Sequence, residues 1–307
     1  MENSALDALI CPVCGLEFVE TLPGENSLKC IDGHCFDIAR QGYVNLLSGR
    51  GTKFTQDTAE MVAAREDFLD AGHYAPLADA LGEVVGEVVR DARPECAPAG
   101  TSRPLVSRPL VLDAGTGAGY YLDRILVNLA SGPGGEHGID SIGLDISKFA
   151  LRRAARRNSG TVNLVWDLWQ PLPVEAGRAD AVLVVFAPRN AAEFARVLAP
   201  RGKLVVVTPR PGHLAQIAEL AGMLGIQPQK EAELVQAMAG HFHLQERREV
   251  NVSLVLSPRD IQNVALMGPA GHHVDPQHLA RTVLGLPAFT AVQAEFQISI
   301  FSKLAAA

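Results

Sequence analysis

Four residues near the N-terminus, Cys11, Cys14, Cys30 and His34, have the residue types and the spacing of a zinc site. Two residues separate the first pair, three separate the second, and fifteen lie between the pairs. Each short pair can turn both donor atoms toward one ion, and two such turns complete a tetrahedron. We expect this zinc to be structural, because four protein ligands leave no position for a reacting water. Cys35, which follows His34 directly, is an alternative fourth ligand, and unligated thiols are the alternative to a metal site.

A second stretch, "PLVLDAGTGAGYYL" at 109–122, has the pattern of a cofactor-binding turn. An apolar strand ends at Asp113, glycines follow at every second position, and a helix is predicted from Tyr120 to Ala130. The glycines are Gly115, Gly117 and Gly119. Glycines between a strand and a helix let a ligand approach the backbone closely, and the N-terminus of the helix favours partial negative charge. The stretch therefore predicts a site for a nucleoside-containing cofactor.

Acids at the ends of the next two strands indicate which cofactor this is. "IGLDIS" ends at Asp145, which can accept hydrogen bonds from ribose hydroxyls. "VNLVWD" ends at Trp166 and Asp167, which are placed to border or hydrogen-bond an adenine ring, with core packing as the alternative for Trp166. The carboxylate of Asp113 would repel the pyrophosphate of NAD but attract the ammonium group of S-adenosyl-L-methionine. We therefore predict S-adenosyl-L-methionine as the cofactor.

A doubly wound sheet is needed to bring these residues together. Buried strands are predicted at 179–188 and 202–209 with a helix from Ala191 to Leu198 between them, and helices follow at 213–225 and 231–239. "EVNVSLVLS" and "VQAEFQISIFS" alternate with period two and predict a closing antiparallel pair. The predicted fold class is α/β, a class I S-adenosylmethionine-dependent methyltransferase with a Rossmann-like seven-stranded sheet and a small N-terminal zinc-binding module.

Three segments are predicted along the chain. They are the zinc-binding module at 1–48, a linker and helical extension at 49–108, and the methyltransferase domain at 109–307. Residues 57–90 are predicted to be helical with an interruption at "DAGHY", and residues 91–109, rich in Pro, Ala and Arg, predict a surface insertion that contains Cys96.

Composition sets limits on function. The chain has 307 residues, 48% of them hydrophobic, and a net charge of −7. This negative net charge does not indicate a polyanionic partner. No apolar run reaches the roughly 18 residues of a membrane span, and few cysteines favour a reducing, cytoplasmic location. One basic run, "KFALRRAARR" at 148–157, predicts either a solvated helix face or a polyanion contact.

Six stretches of the chain, in order, resemble the 23S rRNA guanine-N1 methyltransferases. They are "CPVCG", "CIDGHCFDIARQGYVNLL", "AEMVAAREDFLDAGHYAPL", "LDAGTGAGYY", "GLDISK" and "TPRPGHL". "DLWQPLPV" and "VFAPRN" are similar to the Gram-positive branch, which includes resistance enzymes of macrolide producers. The resemblance implies N1-methylation of a guanosine in hairpin 35 of 23S rRNA, position 748 by the family's convention, and a contribution to macrolide (tylosin- or mycinamicin-like) resistance.

The resemblance also implies roles for particular residues. It implies the same four zinc ligands as the spacing does, and cofactor contacts at Tyr74, at the glycine loop around Gly119 and Tyr120, and at His213. From the residues alone, Tyr74 would be a core residue and His213 the start of a helix. The family is dimeric, which implies a homodimer with a cleft for the rRNA hairpin loop between the subunits, the zinc module serving in RNA recognition.

The segment "FAPRN" follows the fourth strand, where related enzymes line the target-base pocket. Its candidate pocket residues are Phe186, Pro188 and Asn190; Phe186 could stack on the guanine, Asn190 or the backbone of Ala187 could read its edge, and Arg189 could contact phosphate. No residue is assigned as the general base. Two other functions stay open: a small-molecule methyltransferase of secondary metabolism, against which the zinc module argues, and a non-enzymatic zinc adaptor, against which the cofactor residues argue.

Overall fold

An eight-stranded sheet forms the centre of the molecule. The computed structural model describes residues 4–19, 24–47, 51–92, 108–131, 138–219, 230–272 and 274–304. The strands are β1 (Ser27–Lys29), β2 (Cys35–Asp37), β3 (Tyr43–Asn45), β4 (Leu110–Ala114), β5 (Asp140–Asp145), β6 (Val162–Val165), β7 (Ala179–Val185), β8 (Leu198–Pro209), β9 (Phe242–Leu256) and β10 (Thr290–Lys303). The helices are α1 (Ala59–Asp70), α2 (Ala75–Ala92), α3 (Tyr120–Ser131), α4 (Lys148–Arg157), α5 (Ala191–Val197), α6 (Ala215–Ala218), α7 (Lys230–Met238), α8 (Pro258–Leu266) and α9 (Pro276–Val283).

The strand order in the sheet is β3-β6-β5-β4-β7-β8-β10-β9. The strands from β3 to β8 run parallel to one another, and β10 runs antiparallel to both β8 and β9. Seven of these strands form the predicted methyltransferase sheet, including the closing antiparallel pair, so the predicted fold class is confirmed. The eighth strand, β3, comes from the N-terminal segment, and its place in the sheet is not indicated by the sequence.

Alternate residues of the central strands face opposite layers, as the strand period of two requires. On one face, Val111 packs in a cluster with residues of α2, α3, α8 and α9. On the other face, Leu110 and Leu112 pack with α5, α7 and the N-terminal segment. The zinc-binding segment therefore covers part of one face of the sheet and shares its core.

Backbone hydrogen bonds also tie the N-terminal segment to the sheet. Ile10 donates to Pro173 at 3.2 Å, and Glu175 donates to Ala8 at 2.8 Å. Strand β3 extends this contact by pairing parallel to β6. The boundary at residue 48 stays a prediction. No described helix is long and apolar enough to cross a membrane.

Several predicted element boundaries are wrong. The strand predicted at 179–188 ends at Val185, because Phe186 adopts a left-handed φ of 54°. The helix predicted at 213–225 begins at Ala215 after a turn, and its part beyond residue 219 lies outside the described residues, as does most of the predicted insertion at 91–109. The strand predicted at 202–209 already begins at Leu198.

The basic run at 148–157 forms α4, and part of its charge has a structural role. Arg153 lies 2.6 Å from Glu66, and Arg157 lies 2.9 Å from Asp70, both acids being on α1. These contacts hold α1 against α4. They favour the structural interpretation of this run over a polyanion contact.

Candidate active site

The candidate cofactor site lies at the carboxyl edge of the parallel strands. Strands β4, β5 and β7 are neighbours, so the loops that follow them meet at this edge. The predicted glycines, Asp145 at the end of β5 and the segment "FAPRN" all lie at this edge. Parallel topology therefore brings together residues that are far apart in the sequence. Gly117 and Asp145 are 28 positions apart, and Gly115 and Asn190 are 75 positions apart.

The glycine loop has a backbone that only glycine adopts easily. Gly115, Gly117 and Gly119 have φ values of 92°, 56° and 78°. The N–H of Gly117 donates to one oxygen of Asp145 at 2.9 Å, and the N–H of Ser147 donates to the other oxygen at 2.7 Å. These bonds fix the Asp145 carboxylate beside the loop, where its remaining lone pairs can accept from ribose hydroxyls.

The glycine loop also lies directly against the loop after β7. A Cβ atom on Gly115 would stand 2.3 Å from the Cβ of Ala187. A Cβ atom on Gly119 would stand 2.7 Å from the side-chain nitrogen of Asn158, which donates to the Gly119 carbonyl at 2.9 Å. Larger residues would push these loops apart, so the shape of the site depends on both glycines.

Asp113 is buried beneath this loop. Its Oδ1 has no hydrogen-bond partner among the described residues. The pKa of the Asp113 carboxyl is raised to about 7, mainly by burial and to a smaller extent by the charge of Asp145, while the Thr116 side chain opposes the shift. A buried carboxyl oxygen without a partner fits a cationic ligand group such as the ammonium of S-adenosylmethionine, because that group would satisfy its hydrogen-bonding capacity and its charge.

The end of β6 is held by a residue of the linker. Asp167 accepts a hydrogen bond from the Thr52 hydroxyl at 2.9 Å and another from the Trp169 N–H at 3.0 Å. Trp166 is buried in the core, and its indole nitrogen has no partner among the described residues. The core position matches the alternative interpretation of Trp166, while Asp167 stays at the strand end where an adenine ring could approach it.

Tyr74 and His213 come together although 139 positions separate them. The Tyr74 hydroxyl lies 3.3 Å from His213 Nε2, and the N–H of Glu295 donates to His213 Nδ1 at 3.2 Å. Nδ1 therefore carries no proton, and Nε2–H donates to the tyrosine oxygen. Burial lowers the pKa of His213 to about 4. His213 is thus neutral at physiological pH, and its acceptor nitrogen is already occupied.

The rings of Tyr74 and His213 both pack on Phe296. The ring centroids of Tyr74 and Phe296 are 4.8 Å apart, and those of His213 and Phe296 are also 4.8 Å apart. Tyr120 lies at the start of α3, with the Arg157 guanidinium 5.7 Å from its ring centroid. Tyr74, His213 and Phe296 therefore form an aromatic wall that is fixed by packing.

In the segment after β7, one aromatic ring is exposed to solvent and one side-chain amide is hydrogen-bonded within the protein. Phe186 is 45% exposed, and its ring lies 5.7 Å from that of Phe296, which continues the aromatic wall toward solvent. Asn190 caps α5 by accepting from the Glu193 N–H at 3.5 Å, and its side-chain nitrogen donates to the Leu168 carbonyl at 3.0 Å. The side chain of Asn190 thus has a structural role that its position in the sequence did not indicate.

Two neighbours of Phe186 differ in their partners. Pro188 is exposed. Arg189 is half-buried, burial lowers the pKa of its guanidinium, and no described residue forms an ion pair with it. A partly buried cation without a counter-ion favours contact with an anionic ligand, because burial without a partner is costly.

Arg65 lies next to the glycine loop, a position that its place in the sequence does not indicate. Its guanidinium lies 3.8 Å from the position that a Cβ on Gly117 would take. It pairs with Asp57 at 2.6 Å and donates to the Met267 carbonyl at 2.5 Å. Arg65 therefore connects the segment before α1 to the end of α8, above the glycine loop. The sequence gives no signal for this role, because Met267 is 202 positions from Arg65 and only the folded chain brings the two together.

The four predicted zinc ligands meet at a separate place. The donor atoms of Cys11, Cys14, Cys30 and His34 all lie within 4.8 Å of one another. The His34 N–H donates to the Cys30 sulfur at 3.3 Å, a contact that orients a thiolate ligand. Cys35 is exposed and does not belong to this cluster. Three thiolates and one imidazole suit tetrahedral zinc, so the residues present fit the metal.

Known proteins are similar both to the N-terminal segment and to nearly the whole chain. The family model of the RlmA N-terminal zinc ribbon matches residues 9–49. The "23S rRNA (guanine(748)-N(1))-methyltransferase" of Streptomyces fradiae is 38% identical over 287 residues, which cover 94% of this chain and 94% of that protein. The "Putative 23S rRNA (guanine-N(1)-)-methyltransferase" of Micromonospora griseorubida is 39% identical over 307 residues, which cover 99% of this chain and 100% of that one.

Similarity to solved structures is more remote. The YcgJ protein of Bacillus subtilis is 15% identical, with a TM-score of 0.45, and the match covers 73% of this chain and 98% of that one. The fold is therefore assigned from the strand order of the sheet.

Proposed function

The chain belongs to the 23S rRNA (guanine-N1)-methyltransferase family, and from this premise we propose that it methylates N1 of a guanosine in hairpin 35 of 23S rRNA, at the position numbered 748. The observation that carries this proposal is the 38% identity, over 94% of both chains, to the Streptomyces fradiae enzyme whose name specifies guanine 748. The site geometry supports it, because the residues at the carboxyl edge fit S-adenosylmethionine and the cysteine-histidine cluster fits zinc.

The cofactor would be held by acids on three neighbouring strands. Asp113 would receive the ammonium group, Asp145 the ribose hydroxyls and Asp167 the adenine ring, while Gly115, Gly117 and Gly119 let the ligand approach the backbone. Tyr74, Tyr120 and His213 would border it with their packed rings. S-Adenosylmethionine supplies an electrophilic methyl group on a sulfonium. The protein's task is to bring the acceptor nitrogen into line with that methyl, so positioning supplies much of the rate.

The target guanine would enter beside "FAPRN". A hairpin base must leave its stack to reach a pocket, and the exposed ring of Phe186 offers a replacement surface for stacking. Arg189, a half-buried cation, would contact the phosphate of the same nucleotide. Guanine N1 carries a proton at neutral pH, which must leave during the transfer. His213 is unsuited to take it, because its acceptor nitrogen already binds the Glu295 N–H.

The remaining parts of the proposal concern the assembly and its role. The zinc module would recognise rRNA, with zinc as a structural ion, and two copies of the chain would form a homodimer with the RNA cleft between them. The enzyme would act in the cytoplasm, where ribosomes are made. Methylation at this position would contribute to macrolide resistance of the tylosin or mycinamicin type.

Methyl transfer from labelled S-adenosylmethionine to unmodified 23S rRNA tests the proposal. The modified nucleotide is mapped by primer-extension arrest, since an N1-methyl blocks Watson–Crick pairing. A stop at guanosine 748 is the expected result. Label at another nucleotide would overturn the site, and label in a macrolide precursor with none in RNA would overturn the RNA substrate. A host expressing the enzyme should tolerate more macrolide, and unchanged tolerance would refute the resistance role.

A further inference from the structure

Two aromatic side chains are exposed side by side next to the candidate active site. Phe54 is 40% exposed and Trp169 is 52% exposed, and their ring centroids are 6.5 Å apart with an interplanar angle of 34°. We call this pair the aromatic platform. The platform joins the linker before α1 to the turn after β6, two segments that are far apart in the chain.

Hydrogen bonds hold both halves of the platform on one carboxylate. Asp167 accepts from the Thr52 hydroxyl, two residues before Phe54, and from the backbone N–H of Trp169 itself. The N–H of Phe54 also donates to the Thr52 hydroxyl oxygen at 3.1 Å. The platform is therefore positioned by a proposed adenine-binding residue, so it lies next to the cofactor site.

A second contact connects the platform to the segment that would receive the target base. The side chain of Asn190 donates to the carbonyl of Leu168, the residue immediately before Trp169. The same segment presents the exposed ring of Phe186 and the cation of Arg189, which has no ion pair among the described residues. This hydrogen bond ties the turn that carries Trp169 to the segment that carries Phe186.

The charge on the platform favours a nucleic acid. The ammonium group of Lys53 lies 5.5 Å from the ring centroid of Phe54. Exposed aromatic rings combined with cations are the elements by which proteins bind single-stranded nucleotides, since each base has a π-face and each phosphate a negative charge. Large aromatic side chains are otherwise costly to leave in water.

We propose that the aromatic platform stacks an unpaired rRNA nucleotide that neighbours the target guanosine. This inference rests on the proposed function, because it names how the RNA substrate of that same site is held. A guanosine that leaves its stack also exposes the faces of its neighbours in the loop. Phe54 and Trp169 would cover such a face, and Lys53 would contact the adjoining phosphate. The platform would thus stabilise the opened loop only while the target base is in the pocket.

Tryptophan fluorescence can report on this contact directly. The chain has two tryptophans, and Trp166 is buried while Trp169 is exposed. Titrating the full-length, zinc-loaded protein with a 23S rRNA hairpin fragment should quench the emission of Trp169 by base stacking. Trp169→Phe should abolish the quenching while keeping RNA affinity within about twofold, since phenylalanine still stacks.

Kinetics with a matched control complete the test. Trp169→Ala should weaken RNA binding and raise the KM for RNA at least fivefold, roughly the lower bound for loss of one stacked base. The dissociation constant of S-adenosylmethionine should stay unchanged. Phe289→Ala, at a residue 68% exposed before β10, removes an even more exposed ring outside the platform and should change neither value.

The possible failures of this test are distinguishable. If the wild-type chain methylates the hairpin but Trp169→Ala keeps the wild-type KM for RNA, the platform inference is wrong and the proposed function stands. An equal loss in Phe289→Ala would also overturn it. If the wild-type chain transfers no methyl group to RNA at all, the proposed function itself fails, and the inference fails with it.

Discussion

The zinc cluster and the cofactor site are built in opposite ways. The four zinc ligands lie within 24 positions of one another, from Cys11 to His34, and their donor atoms meet through two local turns. The candidate cofactor site draws on residues from Tyr74 to His213, which are 139 positions apart, and these meet only through the tertiary fold around the parallel strands. The first arrangement depends on spacing, whereas the second depends on topology.

This difference determines how each site should respond to damage. A local cluster should be sensitive to the loss of a ligand but indifferent to distant changes. A site assembled by topology should be sensitive to any change that separates two of its loops. The structure adds a connection between the two, because the zinc segment packs on the face of the sheet whose edge forms the cofactor site.

The largest expected effect comes from removing the metal. Chelation of zinc, or Cys30→Ser, should abolish rRNA methylation and lower the melting temperature by about 5 °C or more, because structural zinc supplies much of the folding free energy of its segment. Calorimetry and methyl-transfer assays measure both effects. Cys35→Ser is the control, since Cys35 is exposed outside the cluster. A melting temperature that stays unchanged after complete zinc removal would contradict a stabilising core shared by the zinc-binding segment and the sheet.

Next in size is the effect of forcing two cofactor loops apart. Gly115→Ala would place a Cβ 2.3 Å from that of Ala187, at a φ of 92° that alanine adopts poorly. We expect S-adenosylmethionine to bind at least about tenfold more weakly, a cost of roughly 1.4 kcal/mol. Isothermal titration calorimetry measures the affinity. Gly160→Ala, where no atom lies within 4 Å of the new Cβ, should bind as the wild type does. Equal affinity of both variants would show that the loops do not need close contact.

A smaller effect should appear in the pH dependence of cofactor binding. Asp113 has its pKa raised to about 7 by burial, so it is largely neutral at pH 6 in the free protein. A bound ammonium group favours the ionised form, so affinity should increase severalfold from pH 5.5 to pH 7.5, with release of a proton. Calorimetry in buffers of different ionisation enthalpy counts that proton. Asp113→Asn should bind more weakly and show a flat profile. A wild-type profile as flat as that of the variant would refute this role of Asp113.

The same carboxyl should affect stability in the opposite direction. Because its pKa in the folded, cofactor-free protein is above that of an unfolded chain, its neutral form stabilises the fold at low pH. This contribution is lost as the pH rises from about 4 through about 7. In Asp113→Asn, that part of the pH dependence of the melting temperature should disappear.

The smallest expected effect concerns one hydroxyl group. Tyr74→Phe would leave His213 Nε2–H without its partner at 3.3 Å while keeping the ring packed on Phe296. We expect a two- to threefold loss in cofactor affinity, about 0.5 kcal/mol, which is the lower end for one hydrogen bond. Tyr74→Leu should lose more, because it also removes the aromatic wall. If Tyr74→Phe binds the cofactor as tightly as the wild type, the hydroxyl does not orient His213 for binding.

The sequence predicted features that depend on local pattern. The glycine loop, the acids at the strand ends and the alternation of β9 and β10 each appear within about ten residues of chain. The place of β3 in the sheet could not be predicted, since three residues carry too little pattern to indicate a partner. The positive φ of Phe186 and the engaged side chain of Asn190 also follow from neighbours that only the folded chain supplies. Arg65 was missed for the same reason.

The pairing of β3 with β6 has a consequence for how the chain is made. Asn45 is paired with Val165, 120 positions later in the sequence. At a synthesis rate of 5 to 20 residues per second, the ribosome needs roughly 6 to 24 s to reach the second strand after the first. All four zinc ligands are available well before that time. A zinc ion bound early would keep the nascent N-terminal segment compact. It would also keep the unpaired β3 from pairing with a wrong strand until β6 has been translated.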